Sequence, residues 1–194
     1  ASDPVLRYYF RARGIPWRAV QHCGIVFDPV NRRALFPWYL GKVLVGVTGR
    51  AMDGNPIKTL PYFGTKKGQA LYVPARKITS RKPLILVEGE TDALKLYASG
   101  QTNVAALGMG TMTAAQKTLA LNFSCSSIIL WFDDDNSGRD LTQALQKWLS
   151  PLVPVHQVQY DWIRARYGKG MDPGGIAVKD LKFILDNCVK KFSD

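Results

Sequence analysis

The sequence predicts a mixed α/β fold. A basic N-terminal α+β subdomain with a small antiparallel sheet is expected over residues 1–80, then a domain over 81–194 with a central, mostly parallel sheet flanked by helices. Three observations predict it. The aliphatic runs 84–87 and 128–132 read as strands buried on both faces, as in parallel sheets. After residue 82 such runs alternate with helical patterns, which calls for a parallel sheet covered on both sides. Before it, β-rich runs are separated by short turn formers, which suits antiparallel pairing.

Taken in order, Asp3-Pro4 before residues 5–12 and Gly14 after them give a capping acid, a proline in the first turn and a terminating glycine, hence a short helix. Ile15, Trp17 and Val20 suggest a further helical turn. Residues 25–27, 34–39 and 43–47 are β-rich, parted by Asp28-Pro29 and Leu40-Gly41, with Asp53-Gly54 beyond. Pro37 inside such a run indicates an edge strand or a bulge. Thr79-Ser80 reads as the linker. In the second half, residues 91–99 form a helix closed by Gly100, and residues 103–107 a strand. Thr113 and Gln116 have capping-box spacing, which starts a helix reaching about Phe123. After the strand at 128–132, Leu141, Ala144, Leu145, Trp148 and Leu149 repeat at helical spacing until Pro151. Residues 153–160 make a fourth strand, residues 164–174 a loop, and Val178, Leu181, Ile184, Leu185 and Cys188 a last amphipathic helix.

The 194 residues carry a net charge of +11, distributed unevenly. Residues 1–82 hold 15 Lys and Arg against 3 Asp and Glu, whereas residues 83–194 hold 11 against 12. A basic segment joined to an acidic one suits a protein that grips polyanions with one part and does metal chemistry with the other. Nothing approaches the ~20 apolar residues of a membrane span, so no membrane partner and a cytoplasmic setting are expected. Cys23, Cys125 and Cys188 are odd in number and scattered, which argues for buried thiols over disulfides. Neither His22-Cys23 nor His156 has zinc-ligand spacing, and no zinc is expected within the chain.

The chemistry points to the acids at the strand ends. Strand 84–87 runs into Glu88-Gly89-Glu90-Thr91-Asp92 and strand 128–132 into Asp133-Asp134-Asp135. In open α/β sheets the ligand site lies beyond the carboxyl ends of the strands, where Glu88, Asp133 and Asp135 can converge. Alternation lets Asp133 and Asp135 face one way and Asp134 the other. Crowded carboxylates repel unless a hard cation lies between them, and oxygen-only ligation suits Mg²⁺ or Mn²⁺. The plainer alternative makes Glu90, Asp92 and Asp135 solvated acids at helix starts.

This Glu-Gly and Asp-x-Asp pairing resembles the Toprim domain of DnaG-type primases, topoisomerases and some nucleases, over about residues 82–191. Asn136-Ser137-Gly138-Arg139 is similar to the Gly-Arg continuation of primases, and residues 106–111 to the family's glycine-containing second-strand exit. Leu35-Phe36-Pro37, Gly49-Arg50, Lys58 and Lys67-Gly68 with Leu71-Tyr72 resemble the subdomain that precedes Toprim in bacterial and phage primase cores. Asn55-Pro56-Ile57-Lys58-Thr59 departs from that pattern by an inserted isoleucine and a missing tyrosine. The segment around Asp172-Pro173-Gly174 is similar to the primase Lys-Asp-Pro-Asp loop, with Met171 intervening and Gly174 replacing the second acid.

The resemblance implies a DNA primase core that makes short RNA primers on single-stranded DNA from ribonucleoside triphosphates, with an RNA–DNA hybrid as product and a replicative helicase acting in cis or in trans. It implies Mg²⁺ or Mn²⁺ at Glu88, Asp133, Asp135 and Asp172, with the first three catalytic. Arg50, Lys58, Lys66, Lys67, Arg76, Lys77, Arg139 and Lys169 would contact nucleotide or nucleic acid. Two alternatives stay open: a Toprim-type nuclease using the same acids, and a non-catalytic nucleic-acid-binding module. Ala1 in place of an initiating methionine reads as a piece of a longer protein, since such primases also carry zinc-binding and helicase or helicase-binding modules.

Overall fold

A computed structural model describes residues 3–62 and 64–191, and the outer limits of both expected domains lie outside these. Helix α1 (Pro4–Ala12) starts where Asp3 Oδ1 accepts the Val5 and Leu6 backbone N–H groups at 2.9 and 3.0 Å. It buries Leu6, Tyr9 and Phe10, and α2 (Trp17–His22) follows after Gly14 turns the chain at φ +68°. Strands β1 (Val26–Asp28), β2 (Arg33–Leu40), β3 (Val43–Ala51) and β4 (Thr59–Tyr62) then form an antiparallel sheet in that order. Pro37 lies in β2, between β1 and β3, yet β1 pairs only with residues 33–35 of it. Its missing N–H therefore falls where one side of the strand is unpaired, one residue before the register shift at Trp38/Tyr39.

The second sheet has the order β6-β5-β7-β8-β9: β5 (Leu84–Val87), β6 (Val104–Ala106), β7 (Ile128–Leu130) and β8 (Val155–Val158) are parallel, and β9 (Val189–Lys191) closes one edge antiparallel to β8. Helices α3 (Glu90–Ala98), α4 (Ala114–Asn122), α5 (Asn136–Leu149), α6 (Asp161–Tyr167) and α7 (Val178–Asn187) accompany it. The capping box of α4 forms in both directions at 3.1 Å between Thr113 and Gln116. Strand β4, β9 and helix α6 add to the elements read from the sequence; α6 falls partly within the segment expected to be loop. No helix among the described residues is long and apolar enough to cross a membrane.

Side-chain alternation in β5 divides the core. Ile85 and Val87 join a cluster with Leu94, Trp131 and Leu181, whereas Leu84 and Leu86 pack with Leu130, Leu141 and Leu145. The first cluster also contains Phe10, Phe36, Trp38 and Tyr72, so the antiparallel sheet and the second sheet share one apolar interior. At the residues expected to be linker, the Asn103 side chain binds both the N–H and the C=O of Thr79, at 2.8 and 2.7 Å. Cys23 is buried, and loss of hydration pushes its thiol up to about 12.

Gly138, in the first turn of α5, is required by close approach: a Cβ there would lie 2.0 Å from the Asp133 carbonyl oxygen. Alanine ordinarily favours a helix over glycine by up to ~1 kcal/mol. Here backbone meets backbone, so Gly138→Ala is expected to lose more than about 3 kcal/mol, in line with severe overpacking. Urea unfolding checks this.

Candidate metal centre and phosphate cleft

Strands β5 and β7 lie side by side and parallel, and the chain leaving each of them supplies acids. Glu88 follows β5, Asp92 lies in the first turn of α3, and Asp133 follows β7. Asp172 arrives on the loop between α6 and α7. Among the described residues, Asp92, Asp133 and Asp172 present carboxylate oxygens that all lie within 4.8 Å of one another. Two tethers bring the loop in. Asp92 Oδ1 accepts the Gly174 N–H at 3.0 Å, and Lys95 Nζ donates to the Gly174 carbonyl at 2.7 Å. A Cβ on Gly174 would stand 2.5 Å from Asp92 Oδ1, so glycine is what admits this approach. Asp92 Oδ2 meanwhile accepts the Gly89 N–H at 3.1 Å, capping α3.

The acids are electrostatically frustrated. Loss of hydration and then the charges of Asp172, Glu88 and Asp135 push Asp133 up to about 6, opposed only weakly by Lys58. Buried Asp92 is raised strongly by loss of hydration and then by Asp172 and Asp133. Glu88 is raised by partial burial, Asp135 and Asp172. Three convergent carboxylates with only oxygen donors, each favoured by added positive charge, fit a hard divalent cation.

A cleft of about 590 Å³ opens over these acids. Its walls include the acids Glu88, Asp92, Asp133 and Asp172 and the cations Arg13, Arg50, Lys58 and Lys67. Arg50 is the penultimate residue of β3 and Lys58 immediately precedes β4, so the antiparallel sheet delivers cations to the acids of the parallel one. Lys67 is held by the Gly108 carbonyl at 2.9 Å and by Glu90 Oε1 at 3.4 Å. Glu90 also accepts Thr48 Oγ1–H at 2.7 Å, and Thr48 accepts Trp38 Nε1–H at 3.0 Å. This buried chain fastens β2 and β3 to the start of α3 and fixes Lys67 at the cleft wall.

The remaining sequence candidates lie elsewhere. Asp135 is exposed and caps α5 through the Gly138 N–H at 2.8 Å, although its charge still reaches Glu88 and Asp133. Arg76 sits 4.3 Å over the Tyr39 ring and, with Lys77, borders a separate apolar pocket. Lys66 and Lys169 are exposed outside the cleft wall, and Arg139 pairs with Asp134 and Asn136. The sequence reading did not single out Arg13, and it placed Asp92 only as a helix-start acid. No local signal marks either of them: Arg13 reads as the last basic residue of a helix before Gly14, and Asp92 as an acid of a first helical turn after Gly89.

A Toprim-like family profile matches residues 85–173, which contain every acid of the centre. The DNA primase of Deinococcus radiodurans is 36% identical over 130 residues, 62% of this chain and 22% of the relative. That of Borreliella burgdorferi is 31% identical over 169 residues, 80% of this chain and 31% of the relative. An alignment of that extent reaches beyond the Toprim segment into the basic half. The chain carries a Toprim-like segment and is similar to DNA primases across both of its halves. It spans less than a third of the length of these two relatives. The fold agrees: a DnaG primase catalytic domain solved bound to single-stranded DNA superposes with a TM-score of 0.77 at 20% identity, over 95% of this chain and 71% of that one. DnaG-type cores thus share the pairing of an antiparallel sheet with a Toprim sheet seen here.

Proposed function

We propose that this chain is the catalytic part of a DNA primase, joining ribonucleotides on a single-stranded DNA template by metal-dependent nucleotidyl transfer. One observation carries the reading: acids suited to a divalent ion and cations suited to phosphate line a single cleft. Asp92, Asp133 and Asp172 would hold the ion, with Glu88 beside them. When bound, Mg²⁺ or Mn²⁺ neutralises charge on the attacking and leaving oxygens of an in-line displacement at phosphorus.

The chain's own groups do the rest. Arg50 and Lys58 approach from the antiparallel sheet and neutralise the triphosphate, a positioning role that costs little reorganisation because Arg50 is paired on both sides within β3 and Lys58 directly precedes β4. Lys67 keeps a fixed place because Glu90 and Gly108 hold its ammonium. Glu88, raised by burial and then by its acidic neighbours, can carry the proton of the attacking 3′-hydroxyl. The basic surface of residues 1–82 contacts the template backbone, giving affinity that falls with salt. That a structural neighbour was solved bound to single-stranded DNA supports a template of that kind.

The test is synthesis on single-stranded DNA with ribonucleotides and Mg²⁺ or Mn²⁺. Incorporated ribonucleotide supports the proposal, whereas shortened labelled DNA with no incorporation would make the same centre a nuclease. Lys58→Ala is expected to raise KM for the nucleotide about tenfold, the loss of one charge-assisted phosphate contact worth ~1.5 kcal/mol, with kcat changed less. Steady-state incorporation kinetics check it.

A further inference from the structure

Asp134 stands between Asp133 and Asp135 and, by alternation, points away from the cleft. Its carboxylate is nevertheless only 2% exposed and fully engaged. Arg164 Nε meets Oδ2 at 2.8 Å and Arg164 Nη2 meets Oδ1 at 2.6 Å, a two-pronged fork; Arg139 Nη1 adds a contact to Oδ1 at 3.3 Å. Each partner belongs to a different piece of the site. Asp134 is part of the exit from β7 that bears Asp133. Arg139 is in α5, and Arg164 is in α6, which leads through Gly168 and Gly170, both with positive φ, into the loop bearing Asp172. Tyr160, which immediately precedes α6, adds a parallel tie by donating its hydroxyl to the Phe132 carbonyl.

A buried ion pair is weak evidence for stability, because desolvation cancels much of the attraction; its better-attested use is to fix one arrangement among several. Here the arrangement it can fix is the separation of Asp133 from Asp172, whose carboxylates come from elements 30 or more residues apart in sequence.

We propose that Asp134 and Arg164 form a clamp that sets the spacing of Asp133 and Asp172 and thereby the affinity of the acidic centre for a divalent ion. They are positioning residues, not ligands. The inference rests on the metal-centre reading given above and adds to it the element that tunes the centre.

Charge alone predicts something different, which makes the clamp testable. Removing the positive Arg164 should strengthen cation binding through simple electrostatics, and removing the negative Asp134 should weaken it. The clamp predicts weakening in both cases, of about 10- to 100-fold, as for other groups that orient metal ligands from behind. It also predicts that the double variant is no worse than the weaker single one, since both remove the same link.

The experiment is calorimetric titration of Mn²⁺ into the full chain and into Asp134→Asn, Arg164→Gln, the double variant and Arg164→Lys, with folding of each checked by circular dichroism. Arg164→Lys keeps the charge without the fork and is expected to restore affinity only in part; it serves if Arg164→Gln does not fold. Mn²⁺ affinity in Arg164→Gln, or in Arg164→Lys in its place, equal to or above that of the unmutated chain would overturn the clamp. Absence of Mn²⁺ binding by the unmutated chain would overturn the metal-centre reading and the clamp with it, so the two failures are told apart by the first titration.

Discussion

Asp133→Asn is expected to lower primer synthesis by about a thousand-fold while leaving the chain folded. The substitution changes one carboxylate to an amide of nearly equal volume, so packing is preserved and charge is not. Asp133 is raised by burial and then by Asp172, Glu88 and Asp135 together, and it is opposed by Lys58, which lines the same cleft. A group so placed serves both the ion and the alignment of the phosphate with it. Loss of a metal's charge stabilisation in a transition state is worth several kcal/mol, and about 4 kcal/mol corresponds to a factor of roughly a thousand. The same argument gives the sign for stability. Removing one of several mutually repelling charges relieves the cluster, so the metal-free variant should melt no lower than the unmutated chain at pH 7. Incorporation rates at saturating Mg²⁺, beside thermal melts in EDTA, measure both. Activity within tenfold of the unmutated level would remove Asp133 from the centre.

How far the sequence carried this picture depends on the range of the interactions involved. Strands β5 and β7, helix α1 with its Asp3 cap and helix α4 with its Thr113–Gln116 box were readable because their causes are local: an aliphatic run, a cap, a spacing of three. Glu88 and Asp133 were readable for the same reason, as acids that end such runs. Asp92 was not. Its sequence context describes a helix-start acid, and it does cap α3, but its other oxygen accepts a hydrogen bond from Gly174, 82 residues away. No local pattern reports a contact of that range. Helix α6 was hidden because only Ile163 of its seven residues is buried, and its three-residue stretch Arg164-Ala165-Arg166 reads as solvated loop. Lys67 was legible as a cation but not as one fixed by Glu90 and Thr48, since that chain joins β3 to α3 across 42 residues. Asp134 was expected only to point away from the acids, and what it meets there depends on a helix the pattern did not announce.

The acids also make stability depend jointly on pH and on metal. The folded pKa of Asp133 lies near 6, above the model-peptide value of 3.8, and Asp92 and Glu88 are shifted in the same direction. Between these limits the folded chain binds more protons than the unfolded one. Stability of the metal-free chain therefore falls as pH rises, the contribution of Asp133 being fully present below about 4 and lost as pH passes through about 6. A divalent ion reverses this by favouring the ionised carboxylates, but it must displace protons to do so, and its affinity falls as the acids take them up. Ligand binding to the folded state alone raises stability by an amount that grows with the ratio of ion concentration to Kd. Two trends then oppose each other: from pH 5 to pH 7.5 the melting temperature in EDTA should fall, while the increment produced by 5 mM Mg²⁺ or Mn²⁺ should rise. Magnesium or manganese bound nonspecifically at the surface would give an increment that hardly changes with pH. Melts at four pH values, with and without the ion, separate the two, and an increment at pH 5 as large as that at pH 7.5 would show that the acidic centre is not where the ion binds.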